Sequence, residues 1–420
     1  MKRKISEINL TKEGKISIPN FFHFIWIGDT NLVNIDYIEI WKETNNDKEI
    51  FFWCDENTYL CDFFHNSIHN YVLSEHFDNV DFKERDIKNE AFKYIYPRLK
   101  AGAAFDKLML DFLQEMLIPY PPIPIKTLNP WFESSGICVR NIMDLFSHDY
   151  EDFFKYYCYE LLLRGNLASA SDIVRLIIIY QYGGSYIDVD TLPYFDGIFE
   201  RVNEYLNKNG IVEEDYILLS KTKAILEKIN YTNNLANNVD YKNELHRIDP
   251  YLNELFEADL RDFSLRKISA LGEIHVHKNF ILIGSLKRLR GIYFNNVICS
   301  HERSKVIRII LRTMRKRYEY LEKNNCIFDF CQDNIQMHYL SRLLSWRSEL
   351  ITKRFFVTPA LTGPGLIIEV LLGLVYAIFE LEPSITPSFI AEYMQDEKMG
   401  IAFYQHNIDT PEGGRSAWRK

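Results

Sequence analysis

The sequence predicts an α/β fold with a mixed central sheet, and three stretches carry this prediction. Residues 18–28, IPNFFHFIWIG, form an apolar run that ends at a glycine, which is typical of a buried parallel strand opening into a loop. Residues 35–44 have helical periodicity, and residues 49–54, EIFFWC, are typical of a second strand, so these three segments form one strand–helix–strand unit. Residues 169–193 predict a second helix followed by a strand.

The helix of residues 169–193, SASDIVRLIIIYQYGGSYIDVDTLP, has clear signals at both ends. Ser169 or Ser171 can cap its start, and Gly183 with Gly184 suits its end, where glycine tolerates a left-handed backbone. Its apolar side chains recur at helical spacing, at Ile173, Leu176, Ile177 and Tyr180. We therefore predict a buried helix that turns sharply into the next strand.

Two carboxylates lie at the end of that strand, which we predict over residues 185–189. In Asp188-Val189-Asp190 a period of two places both carboxylates on one face and Val189 on the other. Two neighbouring negative charges repel each other unless a cation lies beside them. Carboxylate oxygens suit Mg²⁺ or Mn²⁺, which retain waters and bind substrate phosphates. The pattern therefore indicates a phosphorylated or nucleotide-linked substrate.

Asp172 and Arg175 lie three residues apart on the preceding helix and share one of its faces. They can present a carboxylate and a guanidinium to the same pocket, and the alternative is a plain intrahelical ion pair. Asp55 follows the second strand at the edge where α/β sheets bind ligands, although we favour a solvated loop acid there.

The motifs S-D-x-x-R and Y-G-G-x-Y-x-D-x-D, with a following proline, resemble the DxD-containing sugar-transferase family. This family includes the glucosylating domains of large clostridial toxins and related bacterial effectors. The resemblance implies that Asp172 and Arg175 contact the donor sugar and phosphates. It also implies that Tyr186 and Asp188 bind the donor and that Asp190 holds Mn²⁺, with Mg²⁺ as the alternative metal.

Residues 18–28 carry a second similarity to this family, the pattern I-P-x-x-x-H-x-I-W-I-G. In the family the Ile-Trp pair cradles and stacks on the uracil, which implies that role for Ile25 and Trp26. The alternative is that Trp26 is a core aromatic residue.

The family also has an asparagine that contacts the donor sugar, and Asn296 matches it best, with Asn295 as the alternative register. If Asn296 is the match, Asn295 and Val297 flank it. They are smaller than the bulky pair of glucose-using members, so the resemblance favours UDP-GlcNAc over UDP-glucose as donor.

The last residues contain S-x-W, a pattern that closes over the donor in the family. Ser416 is therefore implied as a metal ligand, and Trp418 as a contact of the glycosidic or β-phosphate oxygen and a fourth catalytic residue beside Arg175, Asp188 and Asp190. Glu412 is the nearest acid that could complete the metal site. The alternative is a tail without function. A T-G-P-G sequence at 362–365 also has a counterpart in the family, and we interpret it as mainly structural.

The fold that the resemblance implies is one glycosyltransferase domain of the GT-A type over residues 1–420, with large helical insertions. Residues 18–56 and 166–420 would form the catalytic core, and the mostly helical residues 57–165 an insertion that recognises the acceptor. The implied reaction moves one hexose from a UDP-sugar to a host protein side chain, with retention of configuration and dependence on Mn²⁺.

The acceptor could be a small GTPase, which is the family's common target. Two other functions are compatible with the motifs: a transferase that acts on a glycan or lipid, and a protein that binds a nucleotide sugar without turnover. The resemblance implies a secreted or translocated bacterial effector that acts in the host cytosol.

Composition is ordinary for a globular protein, with 47% hydrophobic and 25% charged residues. A net charge of −9 gives no reason to expect nucleic-acid binding. Seven cysteines without a CxxC pair favour reduced, mostly buried thiols. The basic N-terminus lacks the apolar core of a cleaved signal peptide, and the apolar run 366–379 is too short for a transmembrane segment, so we interpret it as a buried helix.

Residues 303–323 predict a helix with a basic outer side, formed by Arg303, Lys305, Arg308, Arg312, Arg315, Lys316 and Arg317. A solvated basic face is the simplest interpretation. The alternatives are contact with an anionic membrane surface or with an acidic protein.

Overall fold

A computed structural model describes residues 14–33, 35–124, 130–146, 148–211, 215–228, 245–247, 249–286, 289–331, 338–349, 357–396 and 399–405. The strands in these ranges are β1 (Lys15–Ser17), β2 (Phe21–Ile27), β3 (Glu49–Asp55), β4 (Cys138–Asn141), β5 (Gly184–Ile187), β6 (His275–His277), β7 (Ile281–Leu286), β8 (Tyr293–Ser300) and β9 (Ala402–Gln405). The helices before β5 are α1 (Ile35–Thr44), α2 (Cys61–Ser74), α3 (Val80–Lys100), α4 (Phe105–Glu115), α5 (Trp131–Ser134), α6 (Glu151–Cys158) and α7 (Leu167–Tyr182). Those after it are α8 (Glu200–Asn209), α9 (Asp215–Lys228), α10 (Pro250–Arg261), α11 (Lys305–Lys323), α12 (Val357–Leu361), α13 (Pro364–Ile378) and α14 (Pro387–Met394).

The central sheet has the order β4-β3-β2-β5-β8-β7-β9 and is mixed, as predicted. Strands β4, β3, β2 and β5 are parallel, whereas β8 runs antiparallel to both of its neighbours. Parallel strands end at a common edge, so Trp26 of β2, Asp55 of β3 and the Asp188 that follows β5 all lie at one edge of the sheet. This edge is where α/β sheets bind ligands.

The predicted helix and strand of residues 169–193 are present as α7 and β5, but the helix begins earlier than expected. Asn166 caps α7 by accepting a hydrogen bond from Ser169 N at 2.9 Å, so neither Ser169 nor Ser171 is the cap. The end of α7 is as predicted, since Gly183 and Gly184 both have positive φ. A Cβ on Gly183 would lie 2.6 Å from Glu302 N, so the tight turn into β5 also needs the missing side chain.

Residues 57–165 are mainly helical, as expected, but they also contribute β4, which pairs with β3 and forms one margin of the sheet. Most of their buried apolar residues belong to the same hydrophobic core as α7 and α11, whereas Phe132 and Ile137 belong to the cluster around Phe52. A π-helix, Tyr159–Arg164, connects α6 to the turn before α7 and is buried throughout. Residues 57–165, which we call the helical block, therefore pack mainly on the face of the sheet that α7 covers.

The expectation that the cysteines are reduced is wrong for one pair, because Cys326 and Cys331 form a disulfide. Their Cα atoms lie 5.4 Å apart, within the range that a disulfide spans. The sequence lacks a CxxC signal here because the two cysteines are five residues apart, in the turn after α11. Cys54, Cys61, Cys138, Cys158 and Cys299 are thiols that take no part in a disulfide.

The apolar stretch before the C-terminal region is longer than predicted. Residues 357–378, which include α12 and α13, have the length and hydropathy of a membrane span, with 39% of the most apolar window buried. The helix α13 packs on α11 and α14, and its Glu369 pairs with Arg317 and Arg342. Helix α13 therefore buries one side, with Leu366, Ile367, Val370, Leu371 and Val375, and carries one ion-paired acid.

Candidate functional site

The two acids of the DxD motif lie on a turn, not on a strand. Strand β5 ends at Ile187, which pairs with Val297, and the prediction that the strand continues to Val189 is wrong. The chain instead turns, because Thr191 N donates to Asp188 O at 3.0 Å. Val189 is buried while Asp188 and Asp190 are partly exposed, so the turn places the carboxylates toward solvent at the sheet edge.

Arg175 connects this turn to helix α7. Its Nη2 lies 3.3 Å from a carboxylate oxygen of Asp172 and 3.3 Å from one of Asp188, and its side chain is 7% exposed. Burial alone would lower the pKa of this guanidinium, but the nearby carboxylates, Asp188 first, raise it above its usual value. Arg175 therefore carries a fixed positive charge that contacts both α7 and the DxD turn. A plain intrahelical ion pair would involve Asp172 alone.

Two further contacts fix the orientation of Arg175. Its Nη1 donates to Asn295 O at 2.8 Å, and its guanidinium carbon lies 4.4 Å from the centre of the Tyr186 ring. The Tyr186 hydroxyl donates to Asp188. Burial and the neighbouring Asp188 keep the pKa of Tyr186 well above its usual value despite Arg175, so its hydroxyl remains a hydrogen-bond donor.

Asp172 is buried and strongly hydrogen-bonded. Its Oδ1 accepts from Asn295 Nδ2 at 2.8 Å, and its Oδ2 accepts from Thr362 Oγ1 at 3.0 Å. Burial raises the pKa of Asp172 from 3.8 to about 6, although Arg175 and both hydrogen bonds act in the opposite direction. Asp172 is thus a carboxyl group whose charge is costly without a further cation or donor in the site.

Thr362 is a site residue that the sequence reasoning missed. We interpreted T-G-P-G as mainly structural, but Thr362 touches Asp172, and its hydroxyl lies 3.0 Å from that of Ser169. A Cβ on Gly363 would lie 3.3 Å from Asp172 Oδ2, so the glycine lets this turn approach the acid. The signal was available in the similarity of this motif to the family, but spacing alone did not connect it to α7.

The two asparagines of β8 point to different surroundings. Asn296 is buried, and its Nδ2 donates to Thr191 Oγ1 at 3.3 Å while its carbonyl accepts from Asp188 N at 2.8 Å. Asn295 contacts Asp172 through its side chain and Arg175 through its carbonyl. The structure therefore brings the alternative residue, Asn295, into contact with the Asp172–Arg175 pair and uses Asn296 to hold the DxD turn.

Ile25 and Trp26 lie near the end of β2, at the same edge of the sheet as the DxD turn. Ile25 is 4% exposed and belongs to the main core, whereas Trp26 is partly exposed at the margin of another apolar cluster. The indole Nε1 of Trp26 donates to Asp29 O at 2.7 Å, which fixes the ring. Their role in binding uracil stays a prediction.

Asp55 is not the solvated acid that we favoured. It is 3% exposed, accepts a hydrogen bond from Asn57 N at 3.1 Å and lies 3.4 Å from the hydroxyl of Tyr157. It therefore caps the short 3-10 turn Glu56–Leu60 and connects β3 to the helical block.

The residues available for a metal include Asp190 and Asp188 at the sheet edge. Within the described ranges, no three His, Cys, Asp or Glu side chains gather into a metal-binding group. Ser416, Trp418 and Glu412 lie outside the described residues. A pair of partly exposed carboxylates fits Mg²⁺ or Mn²⁺, since these ions complete their shells with waters and substrate phosphates.

A buried network supports the site from behind. Arg164 donates to Glu160 Oε2 at 2.7 Å and to Thr358 Oγ1 at 2.8 Å, and it also pairs with Glu349. Thr358 Oγ1 in turn accepts from Nδ2 of Asn166, the cap of α7, at 3.1 Å. This network connects the π-helix to the first turn of α7, and it was not apparent from the sequence.

Comparisons with known proteins identify the family and the fold of this chain. The family described as TcdA/TcdB catalytic glycosyltransferase domain matches residues 20–120 and 122–363. Among curated relatives, Toxin A of Clostridium novyi is 26% identical over 330 residues, which cover 71% of this chain and 14% of that protein. Cytotoxin-L of Paraclostridium sordellii is 28% identical over 250 residues, which cover 53% of this chain and 10% of that protein.

Solved structures show the same fold. The catalytic domain of alpha-toxin from Clostridium novyi superposes with a TM-score of 0.72 at 20% identity, covering 96% of this chain and 80% of that one. The UDP-bound glycosyltransferase domain from the YGT toxin superposes with a TM-score of 0.60 at 17% identity, covering 96% and 82%. These neighbours confirm the GT-A fold that the resemblance implied. Because the family match extends over most of its length, the chain belongs to the TcdA/TcdB catalytic glycosyltransferase domain family.

Proposed function

We propose that this chain transfers one hexose from a UDP-sugar to a side chain of a host protein. The observation that carries the proposal is the Arg175 guanidinium, which lies within 3.3 Å of both Asp172 and Asp188. A rigid cation beside two acids at the carboxyl edge of parallel strands suits a donor that combines sugar hydroxyls with a diphosphate. The family match and the UDP-bound structural neighbour support this reading.

In this proposal each residue has a distinct task. Arg175 binds the diphosphate and stabilises the charge that develops on the departing UDP. Asp172 accepts hydrogen bonds from the sugar hydroxyls, and Tyr186 holds Asp188 in the orientation that binds the donor. Ile25 and Trp26 would hold the uracil at the end of β2. Asp190 would hold Mn²⁺ or Mg²⁺, an ion that neutralises the diphosphate when it is bound.

No described side chain is placed as a covalent nucleophile toward the sugar in this scheme. The hydroxyl oxygen of the acceptor protein would form the new glycosidic bond, the bond from the sugar to UDP would break, and the hydroxyl proton would pass to the departing phosphate oxygen of UDP. We propose retention of configuration, with the acceptor approaching from the face that UDP leaves. Arg175 would act on the leaving group, which gains negative charge as the bond breaks.

The donor is proposed as UDP-GlcNAc or UDP-glucose, and UDP-GlcNAc is favoured in the register where Asn296 contacts the sugar, because its neighbours Asn295 and Val297 are small. A simple steric difference in a pocket discriminates by about 1–3 kcal/mol, which is roughly 10- to 200-fold in specificity. Equal kcat/KM values for the two donors would remove the basis for this preference.

The C-terminal residues are proposed to complete the site. Ser416 and Glu412 would join Asp190 as metal ligands, and Trp418 would contact the departing phosphate oxygen. A segment that closes over the donor excludes water and protects the donor from hydrolysis. Deleting residues 412–420 should therefore abolish transfer, and a truncated chain with intact transfer would refute this part of the proposal.

The acceptor is proposed to be a host protein, with a small GTPase of the cytosol as the first candidate, reached after secretion or translocation from a bacterium. The relatives are toxins, and this chain spans only 10% to 14% of their length, so delivery and target belong to this proposal. The helical block, residues 57–165, is the proposed acceptor-recognition region.

The test is transfer of label from a radiolabelled UDP-sugar to protein in a eukaryotic lysate. We expect a labelled protein band with the native chain and none with Asp188→Asn/Asp190→Asn. Glu204→Gln/Glu254→Gln removes two exposed acids from α8 and α10 and should leave labelling intact. Label in lipid or free glycan would instead support the glycan- or lipid-directed transferase, and UDP binding without any turnover would support a non-catalytic binding protein.

A further inference from the structure

The outer face of α11 carries four exposed bases in a line. Lys305, Arg308, Arg312 and Lys316 are all exposed, and we call these four residues the basic stripe. At about 100° per residue they lie within an arc of roughly 80°, and their Cα atoms extend along roughly 16 Å of the helix. The buried side chains of α11, such as Ile310, Met314 and Leu321, lie on the opposite side of the helix.

Three further bases were predicted on this side, and the structure contradicts that placement for Arg317, while Arg315 is ion-paired and Arg303 lies before the helix. Arg317 is 4% exposed and pairs with Glu369 at 2.6 Å, so it belongs to the buried side. Arg315 lies 3.3 Å from Asp152 of α6 and covers the ring of Phe153. Arg303 precedes the helix, which begins at Lys305.

Three carboxylates around α11, one of them on α11 itself, are already engaged by other bases. Asp152 pairs with Arg315, Glu322 pairs with Lys155, and Glu369 pairs with Arg317 and Arg342. Across the described ranges, no residue of the basic stripe forms an ion pair. The same face continues with Glu319 and Lys323, whose charges offset each other.

We propose that the basic stripe is a docking surface for an anionic membrane. Protein interfaces are depleted of lysine and anchored by aromatic or apolar side chains, but here the apolar residues of α11 are directed into the core. A linear set of bases that form no ion pair with any described residue, on a helix whose apolar side chains face the core, fits a sheet of lipid headgroups, where each base contributes electrostatic attraction. The net charge of −9 opposes such contact elsewhere, so the stripe would also orient the chain.

This orientation is compatible with the donor site but does not depend on it. Helix α11 starts beside Tyr180 and Asn279, away from the DxD turn, and packs on the outer side of α7. Docking through the stripe would therefore place the membrane against the helical layer and leave the carboxyl edge of β2 and β5 uncovered. Membrane partitioning can be measured without donor, so its failure would not bear on the proposed transferase function.

The test is co-sedimentation with phosphatidylcholine vesicles that either contain or lack phosphatidylserine. The variant Lys305→Gln/Arg308→Gln/Arg312→Gln/Lys316→Gln removes the stripe. The control Lys107→Gln/Lys208→Gln/Arg261→Gln/Lys278→Gln removes the same charge at four exposed bases on other elements. Circular dichroism and thermal unfolding should show that both variants remain folded, since all eight side chains are exposed.

We expect the native chain and the control to bind only the anionic vesicles, with binding that weakens as salt shortens the Debye length. Each base near such a surface contributes on the order of a fivefold gain in partitioning, so the stripe variant should bind several hundredfold more weakly. The proposal is overturned if the native chain does not sediment, if it binds neutral vesicles equally, or if the two variants bind alike. Binding to poly-glutamate but not to anionic vesicles would also overturn it, in favour of an acidic protein partner.

Discussion

At the residue scale, the site depends on the ion pair and hydrogen bonds that neighbouring residues make with one buried acid, Asp172. Asp172 is 6% exposed, and its partners come from three separate parts of the chain: Arg175 on α7, Asn295 on β8 and Thr362 before α13. The sequence predicted Asp172 and Arg175 because they share a helix face. It could not predict Thr362, because a contact between residues 190 positions apart depends on packing that no local pattern encodes.

Asp172 should make stability fall with rising pH in the metal-free chain. Its pKa is raised from 3.8 to about 6, so its stabilising protonated form is complete below about 3.8 and is lost as the pH rises through about 6. A shift of this size corresponds to about 3 kcal/mol at most. The side chain of Asp172→Asn cannot titrate. As the pH rises from about 3.8 through about 6, the free energy of unfolding of the variant should therefore increase relative to that of the native chain, as measured by urea denaturation in EDTA. Parallel pH profiles for the two proteins would contradict the buried, raised-pKa carboxyl.

Thr362 should affect donor binding through its hydroxyl alone. Thr362→Val removes the donor to Asp172 Oδ2 while keeping the volume, and a hydrogen bond to a charged group contributes about 1.5–3 kcal/mol. We expect UDP affinity to fall at least about tenfold in Thr362→Val and to be retained in Thr362→Ser, both measured by calorimetry. Equal loss in the two variants would mean that the methyl group, and not the hydroxyl, matters.

At the element scale, the helix and strand of residues 169–193 were predictable, and their ends were not. Helical periodicity and the two glycines located α7 and its end. The cap lies at Asn166 because the π-helix ends at Gly165 and α7 begins directly after it. Helix α7 therefore starts before Ser169 and Ser171, the caps that we predicted. The strand stops at Ile187 because the chain turns after Asp188, where Thr191 N donates to Asp188 O, and Asn296 of β8 holds Thr191 in a tertiary contact.

Strands β2 and β3 and the turn after α7 meet at His23, and their association should be sensitive to acid. The ring accepts from Trp53 Nε1 at Nδ1, 3.2 Å away, so its Nε2 donates to Gly183 O at 2.9 Å. Protonation at Nδ1 would place two hydrogen-bond donors, His23 Nδ1 and Trp53 Nε1, against each other. Burial lowers the pKa of His23 from 6.5 to about 4, in opposition to the hydrogen bond to Gly183.

The stabilising neutral form of His23 is therefore complete above about pH 6.5 and is lost as the pH falls through about 4. Between pH 6.5 and about pH 4, the free energy of unfolding of His23→Gln should decrease less than that of the native chain, by up to about 3 kcal/mol. The control is His246→Gln, an exposed histidine. Urea denaturation at several pH values measures both, and identical acid limbs for native chain and His23→Gln would count against this interpretation.

At the scale of the whole molecule, one core joins the helical block to the catalytic sheet. The sequence predicted the helices of residues 57–165 but neither the added strand β4 nor the Arg164 network, because both depend on partners distant in sequence. The sequence likewise predicted only some of the charged side chains that face outward. Seven bases were predicted on the outer side of residues 303–323, and the structure turns Arg317 into the core.

Breaking the Arg164 network should destabilise the entire chain. Glu349 is 5% exposed and binds Arg164 together with Thr358, so Glu349→Gln leaves a buried guanidinium undercompensated. We expect a loss of about 3 kcal/mol in the free energy of unfolding. Asp329→Asn breaks an exposed pair with Arg85 and should cost less than about 1 kcal/mol. Equal losses in the two variants, measured by chemical denaturation, would contradict a structural role for the network.

If the DxD turn and Arg175 form a metal-assisted site for UDP, titration calorimetry with UDP should show binding that needs both the metal and these residues. With Mn²⁺ present the native chain and Glu254→Gln should bind UDP alike, and binding should fall at least about a hundredfold with EDTA or in Asp190→Asn. Arg175→Lys should also weaken binding, since a lysine cannot reproduce the two-pronged contact of the guanidinium. UDP binding that is unchanged by EDTA and by Asp190→Asn would contradict the account.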